Sequence, residues 1–151
     1  MTEDKKNLLK NTDKIRTRCF EIWVENEILY VEGFEGVEVE LEDVKKAFEI
    51  YDQLGFGPGK KRGLQIMVGR KYYSLTKEAK EYAAHKGRSF FIASAIISEL
   101  VALRLAVNVF NSLYKPKIPF KMFASEEKAL EWLRKYALKT KSPQFLEGFS
   151  K

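Results

Sequence analysis

The chain has 151 residues, 45% of them hydrophobic and 13% aromatic, which suits one domain with a real core and excludes a disordered tail. Lysine and arginine outnumber aspartate and glutamate by 27 to 21, a net +6 that by itself points to a polyanionic partner. The single cysteine, Cys19, excludes an intrachain disulfide. With His85 as the single histidine, Cys- or His-based metal sites and Cys–His nucleophile pairs lack the residues they need.

Residues 1–17 are charged throughout and carry no sustained periodicity and no apolar h-region of a secretory signal. They are read as an N-terminal arm, with Leu8, Leu9 and Ile15 as material for a short helix or a mobile segment. From Cys19 the pattern changes. Phe20, Ile22 and Val24 alternate with Glu21, Trp23 and Glu25, which predicts a half-buried strand with Trp23 on its outer face. Asn26-Glu27 separates it from Ile28–Val31, and a hairpin is the simplest joint. Leu41, Val44, Ala47, Phe48, Tyr51 and Leu54 have helical spacing, with Glu42 and Asp43 in the first turn and Gly55 as the stop. A Gly-rich basic loop, residues 55–63, leads into a third strand, Leu64–Val68. Thr76 is placed to N-cap a second helix through Ala79, Tyr82 and Ala83.

Phe90–Tyr114 is the most apolar stretch, but Glu99 and Arg104 near its centre oppose a membrane span at about 3 kcal/mol each. A buried fourth strand over 90–97 and a largely buried third helix, capped by Ser98 and stopped at Lys115-Pro116, explain the same residues. Phe120–Phe123 reads as a fifth strand. Ser125 opens a fourth helix with Ala129, Leu130, Trp132, Leu133 and Tyr136 inward. The order is β-β-α-β-α-β-α-β-α: an α/β domain over 18–138, an opening hairpin followed by a mainly parallel mixed sheet with four helices, and a tail over 139–151. The third helix and fourth strand are expected nearest the centre.

Several segments in this order carry a family resemblance: Ser74-Leu75-Thr76-Lys77-Glu78-Ala79 entering the second helix, Arg104 with Asn108 in the third, residues 115–123, and Lys128-Ala129-Leu130-Glu131-Trp132-Leu133. Together they make the chain resemble the STAS family, the domain of anti-sigma-factor antagonists and sulfate-transporter tails. It is most similar to the small single-domain STAS-like proteins grouped by some with the CRAL–TRIO lipid-binding fold. The resemblance spans about Arg18 to Tyr136. It implies a regulatory docking module, with the segment before the second helix as the regulatory turn. That turn here, Tyr72-Tyr73-Ser74-Leu75-Thr76, lacks the Asp and Gly of the antagonists' phosphoacceptor motif.

Two candidate surfaces follow. The first is the turn 69–76, at the carboxyl end of the third strand, where open α/β sheets place ligands. Ser74 and Thr76 are its hydroxyls, and Arg70 and Lys71 its cations; a phosphate there would meet free helix N–H groups. The plainer reading gives Thr76 a capping role and Ser74 ordinary turn chemistry. The second is Arg104, Asn108 and Asn111, at i, i+4, i+7, a polar stripe on an apolar helix that serves either a partner or internal hydrogen bonds. The loop 55–63 fails the Walker pattern, because Leu54 stands where a glycine is required and Lys61 where Ser or Thr is. It reads as a flexible connection with a solvated basic run. His85 suits the end of the second helix, and Cys19 a buried position.

Charge is unevenly distributed. Residues 19–54 hold two bases against eleven acids, −9, whereas residues 55–90 hold nine bases against two acids, +7. The two blocks suit pairing between subunits, as in a homodimer, or a charged protein partner. The leading expectation is a cytoplasmic, non-enzymatic, STAS-like interaction module with no cofactor, no metal, no catalytic residue and no membrane association. It would dock a protein through the turn and the third helix. The alternatives are a CRAL–TRIO-type small-molecule or lipid-binding protein, which requires a cavity, and weak nucleic-acid binding through basic residues 60–90, which is disfavoured because no groove-reading element is present.

Overall fold

The Asn26-Glu27 turn sets the register of the sheet. Both residues have positive φ, 52° and 70°, as a two-residue type I′ hairpin requires, so Glu25 pairs with Ile28. Asn tolerates this conformation and Glu does not, but the Glu27 carboxylate is held by Lys61 Nζ at 2.6 Å. In the computed structural model, which describes residues 14–140 apart from Pro116 (and 138–140 as helical backbone only), this turn joins the second and third of eight strands.

The elements run β1 (Ile15–Arg16), β2 (Phe20–Glu25), β3 (Ile28–Gly33), β4 (Glu38–Val39), α1 (Leu41–Gln53), β5 (Gly63–Val68), β6 (Ser74–Leu75), α2 (Lys77–Phe90), β7 (Phe91–Ile97), α3 (Val101–Tyr114), β8 (Phe120–Phe123) and α4 (Glu126–Thr140). Six strands form one sheet in the order β1-β2-β3-β5-β7-β8. The β1-β2-β3 pairs are antiparallel, and β3-β5-β7-β8 are parallel. The predicted order of five long strands and four helices is the one observed. Three short pieces were not foreseen: β1, inside the stretch read as an arm, and β4 and β6, which pair in parallel as a small second sheet. Residues 1–13 and 141–151, the rest of the predicted arm and most of the tail, lie outside the described residues.

Alternation along the strands sends side chains to two cores. One contains Phe20, Ile22, Leu29 and Val31 with Val44, Phe48 and Tyr51 of α1 and Phe90 of α2. The other contains Trp23, Ile28, Tyr30, Leu64, Ile66, Ala93 and Ala95 under Ala129, Leu133 and Ala137 of α4. Both faces of the sheet are therefore covered, which corrects the outward placement of Trp23. Its ring is 7% exposed and stacks on Tyr30 at 5.4 Å between centroids, with Lys14 Nζ 4.4 Å from its own centroid.

A second correction concerns α3. β7 lies inside the sheet and is largely buried, but α3 is not a buried helix. Only Leu103 and Val107 of α3 are buried, whereas Val101, Leu105, Val109 and Leu113 are 50–69% exposed. Nor is Ser98 its cap, because the helix starts after Leu100. Ser98 is buried, donates to the Gly69 carbonyl at 2.6 Å and accepts from Leu100 N–H.

Candidate functional site

The site is assembled where the carboxyl end of β5, the segment 69–76, α2 and α3 converge. Two close approaches fix it. A Cβ on Gly33 would lie 2.5 Å from the Tyr73 ring, so only glycine lets Tyr73 seat against the end of β3. A Cβ on Gly69 would lie 2.6 Å from Leu103 Cδ1, so the segment after β5 runs directly beside α3.

Segment 69–76 is more tightly held than a free turn. Gly36 N–H donates to the Tyr72 carbonyl, Ser74 N–H to Val37 and Thr76 N–H to Val39, which stitches β6 to β4. Ser74 is half-buried. Thr76 caps α2, its Oγ1 accepting from Ala79 N–H at 3.2 Å, as the plainer sequence reading held. Arg70 clasps Glu32 through Nε and Nη2 at 2.7 and 2.6 Å, and this hydrogen-bonded pairing raises the guanidinium pKa above its ordinary value. Lys71 and Tyr72 are exposed.

On α3, Arg104 and Asn108 are exposed and Asn111 is half-buried; the side chains of all three make no hydrogen bond or ion pair to the described residues. They flank an apolar ridge, Val101-Leu105-Val109-Leu113, at successive i+4 positions. The ridge was missed because an all-apolar helix reads as a buried one. The clue available in the sequence was that Leu103, Val107 and Phe110 already supply one complete inward face.

Beneath α3 lies a partly open cavity of about 200 Å³, bounded by α1, α2, α3 and the sheet. Its walls include Phe48, Met67, Phe91, Leu103, Val107 and Phe110. Tyr51, Gln65 and Ser94, all buried, supply polar atoms: Ser94 Oγ donates to Gln65 Oε1 at 2.7 Å, and Gln65 Nε2 to Tyr51 Oη at 3.5 Å. Desolvation pushes the Tyr51 phenol pKa well up and that of Tyr73 to about 12, so both stay neutral at physiological pH. Of the sequence-predicted site residues only Ser74 lines this cavity, across from Leu103 and Val107; Arg70, Lys71, Thr76, Arg104, Asn108 and Asn111 are not among its lining residues.

The other predicted features separate from this site. His85 is an exposed residue of α2. Cys19 is fully buried, and burial pushes its thiol to about 11. Loop 55–63 keeps its basic run at the surface, with Lys60 and Arg62 exposed and Lys61 half-buried, but it is anchored by the buried Phe56 and by pairing of those bases. Lys60 pairs with Asp52, Lys61 with Glu27, and Arg62 donates to the Phe91 carbonyl. With Arg70 on Glu32, four bases of the +7 block are occupied, three of them by acids of the −9 block within the same chain. Among the described residues no group of three or more His, Cys, Asp or Glu side chains is placed to hold a metal, and no helix is long and apolar enough to cross a membrane.

Comparison with known proteins agrees with this architecture. The family model described as "Domain of unknown function (DUF7793)" matches residues 22–137, from within β2 to the inward face of α4. The chain belongs to the DUF7793 family. No curated protein matches it. Among solved structures, this DUF7793 member is similar to an uncharacterized protein of the DUF3478 family with a SpoIIAA-like fold from Shewanella loihica PV-4. The two share 18% identity over 79% of this chain and 98% of that one, with a TM-score of 0.53. The fold is therefore SpoIIAA-like, the STAS-like architecture that the sequence resemblance implies.

Proposed function

We propose that this DUF7793 protein is a non-enzymatic docking module of the cytoplasm, and that its contact surface is the outward ridge of α3. One observation carries the reading: four large aliphatic side chains on a single helix, each at least half exposed, aligned at i+4 spacing. Isolated surface leucines need no explanation, but a continuous apolar strip is characteristic of a protein interface. Arg104 is an exposed cation next to this strip on the same helix, so the partner that fits it is a protein presenting an apolar helix or groove edged by a carboxylate. A different protein is favoured over a second copy because the acidic and basic blocks already meet within one chain.

The test is affinity capture with wild type, Leu105→Glu/Val109→Glu and, as a control on the opposite face, Glu131→Lys. The double variant is expected to lose a partner that wild type and the control retain, with unchanged circular dichroism. Retention of every partner by the double variant would falsify the assignment of this surface.

A further inference from the structure

We infer that the cavity under α3 is a binding site for a small planar apolar molecule that carries one neutral hydrogen-bond acceptor. Size comes first. A cavity of about 150 Å³ lined by aliphatic and aromatic side chains holds a benzene ring. At about 200 Å³, this one suits a bicyclic ring of about ten heavy atoms. The walls favour a flat occupant, because Phe48, Tyr51 and Phe91 present rings to it from α1 and the sheet, and Phe110 does so from α3.

The acceptor requirement comes from unspent donors. Gln65, Ser94 and Tyr51 are 7%, 3% and 4% exposed and all line the cavity. Ser94 spends its proton on Gln65 Oε1. Gln65 spends one amide proton on the Tyr51 oxygen at 3.5 Å, and its second amide proton and the Tyr51 hydroxyl proton meet no acceptor among the described residues. Donors with capacity to spare on the wall of a mainly apolar chamber, to which the Tyr73 and Ser74 hydroxyls add, recognise a carbonyl, ether or ring nitrogen. No carboxylate lines the cavity, and Lys80 is its one lining cation among the described residues, so the buried part of the ligand is uncharged.

Quinoline and naphthalene test this inference, since they share shape and size and differ by one ring nitrogen. In titrations of the full chain followed by amide chemical shifts, quinoline is expected to bind saturably at one site, shifting the amides of Gln65, Ser94 and Val107. Naphthalene should bind about fivefold more weakly, the effect of one neutral hydrogen bond. Gln65→Leu should narrow the gap between the two affinities, and Gln65→Leu/Tyr51→Phe should narrow it further. Ala106→Phe, which projects a ring from α3 into the cavity, should weaken quinoline at least tenfold, while Leu105→Glu on the outer ridge should leave it unchanged. Absence of saturable binding by either ring overturns the site, as does unchanged affinity in Ala106→Phe. Equal affinities in wild type overturn the acceptor requirement. If Ala106→Phe does not fold, the Gln65→Leu comparison and the map of shifted amides decide the question. Because the outer-ridge variant leaves this readout untouched, failure of the docking proposal and failure of this one are distinguishable.

Discussion

Helices α3 and α4 are nearly the same length and lie on opposite faces of one sheet, yet they are built to different rules. α4 turns Ala129, Leu133 and Ala137 inward and covers its outer face with Glu127, Lys128, Glu131, Arg134 and Lys135. Its half-buried apolar residues Leu130, Trp132 and Tyr136 pack against the same core. α3 turns Leu103 and Val107 inward over a cavity and keeps Val101, Leu105, Val109 and Leu113 outside. The difference teaches that one face of this fold is scaffold, whereas the other combines a chamber with an exposed apolar surface.

The largest expected effect lies on the scaffold side. Leu133 has no exposed surface and packs with Leu64, Ile66 and Ala95 in a closed core. Leu133→Ala should therefore cost about 3 kcal/mol in urea unfolding. Leu103→Ala removes the same atoms beside an existing cavity, where fewer contacts are lost, and should cost about 2 kcal/mol. Equal costs would mean that α3 is seated as firmly as α4 and would erase the contrast.

The elements joining the two sides give a smaller effect. Thr76→Ala removes the cap that starts α2 and should cost about 1 kcal/mol, a fall of about 4 °C in thermal midpoint. Thr76→Asp keeps an acceptor at the same place and should stay near wild type.

Alkaline titration probes the core on the cavity-bearing face of the sheet. Burial raises Cys19 from an ordinary value of 9.0 to about 11, and Tyr73 from 10.0 to about 12. The unfolded chain loses these protons first, so the stability they confer is complete below pH 9 and declines as pH rises toward 11 and 12. Cys19→Ala and Tyr73→Phe should each flatten that decline in unfolding measured from pH 8.5 to 11. The thiol should also resist a disulfide reagent at pH 8 until urea is added.

What was legible in the sequence divides along the same line. Where burial and periodicity agree, as in the β2-β3 hairpin, α1, the Thr76 cap and α4, the residues announce their structure. Trp23 was misplaced because alternation with glutamates looks like a solvent face, and nothing local to β2 reveals that α4, a hundred residues later, covers that side. Ser74 looked like a turn residue because its partner strand, Glu38–Val39 with Val37 just before it, is too short to show a period. The same is true of the cavity: a void is the absence of packing among residues from nine elements, and no window of sequence contains it. The α3 ridge failed for a different reason, since its composition is the composition of a buried helix.

That last point sets the smallest and most diagnostic prediction. Leu105 and Val109 are 59% and 50% exposed, so truncation to alanine removes little buried area, and alanine is the better helix former at both positions. Leu105→Ala/Val109→Ala should leave stability within about 0.5 kcal/mol of wild type in urea unfolding, at both low and high protein concentration. A loss above about 1 kcal/mol at all concentrations would show that the ridge packs within its own chain, and α3 would then be scaffold like α4. A loss only at high concentration would mean that a second copy covers it, because self-association stabilises by mass action. An unchanged stability leaves four aliphatic side chains in water with no structural return, which is the physical ground for assigning them to a partner.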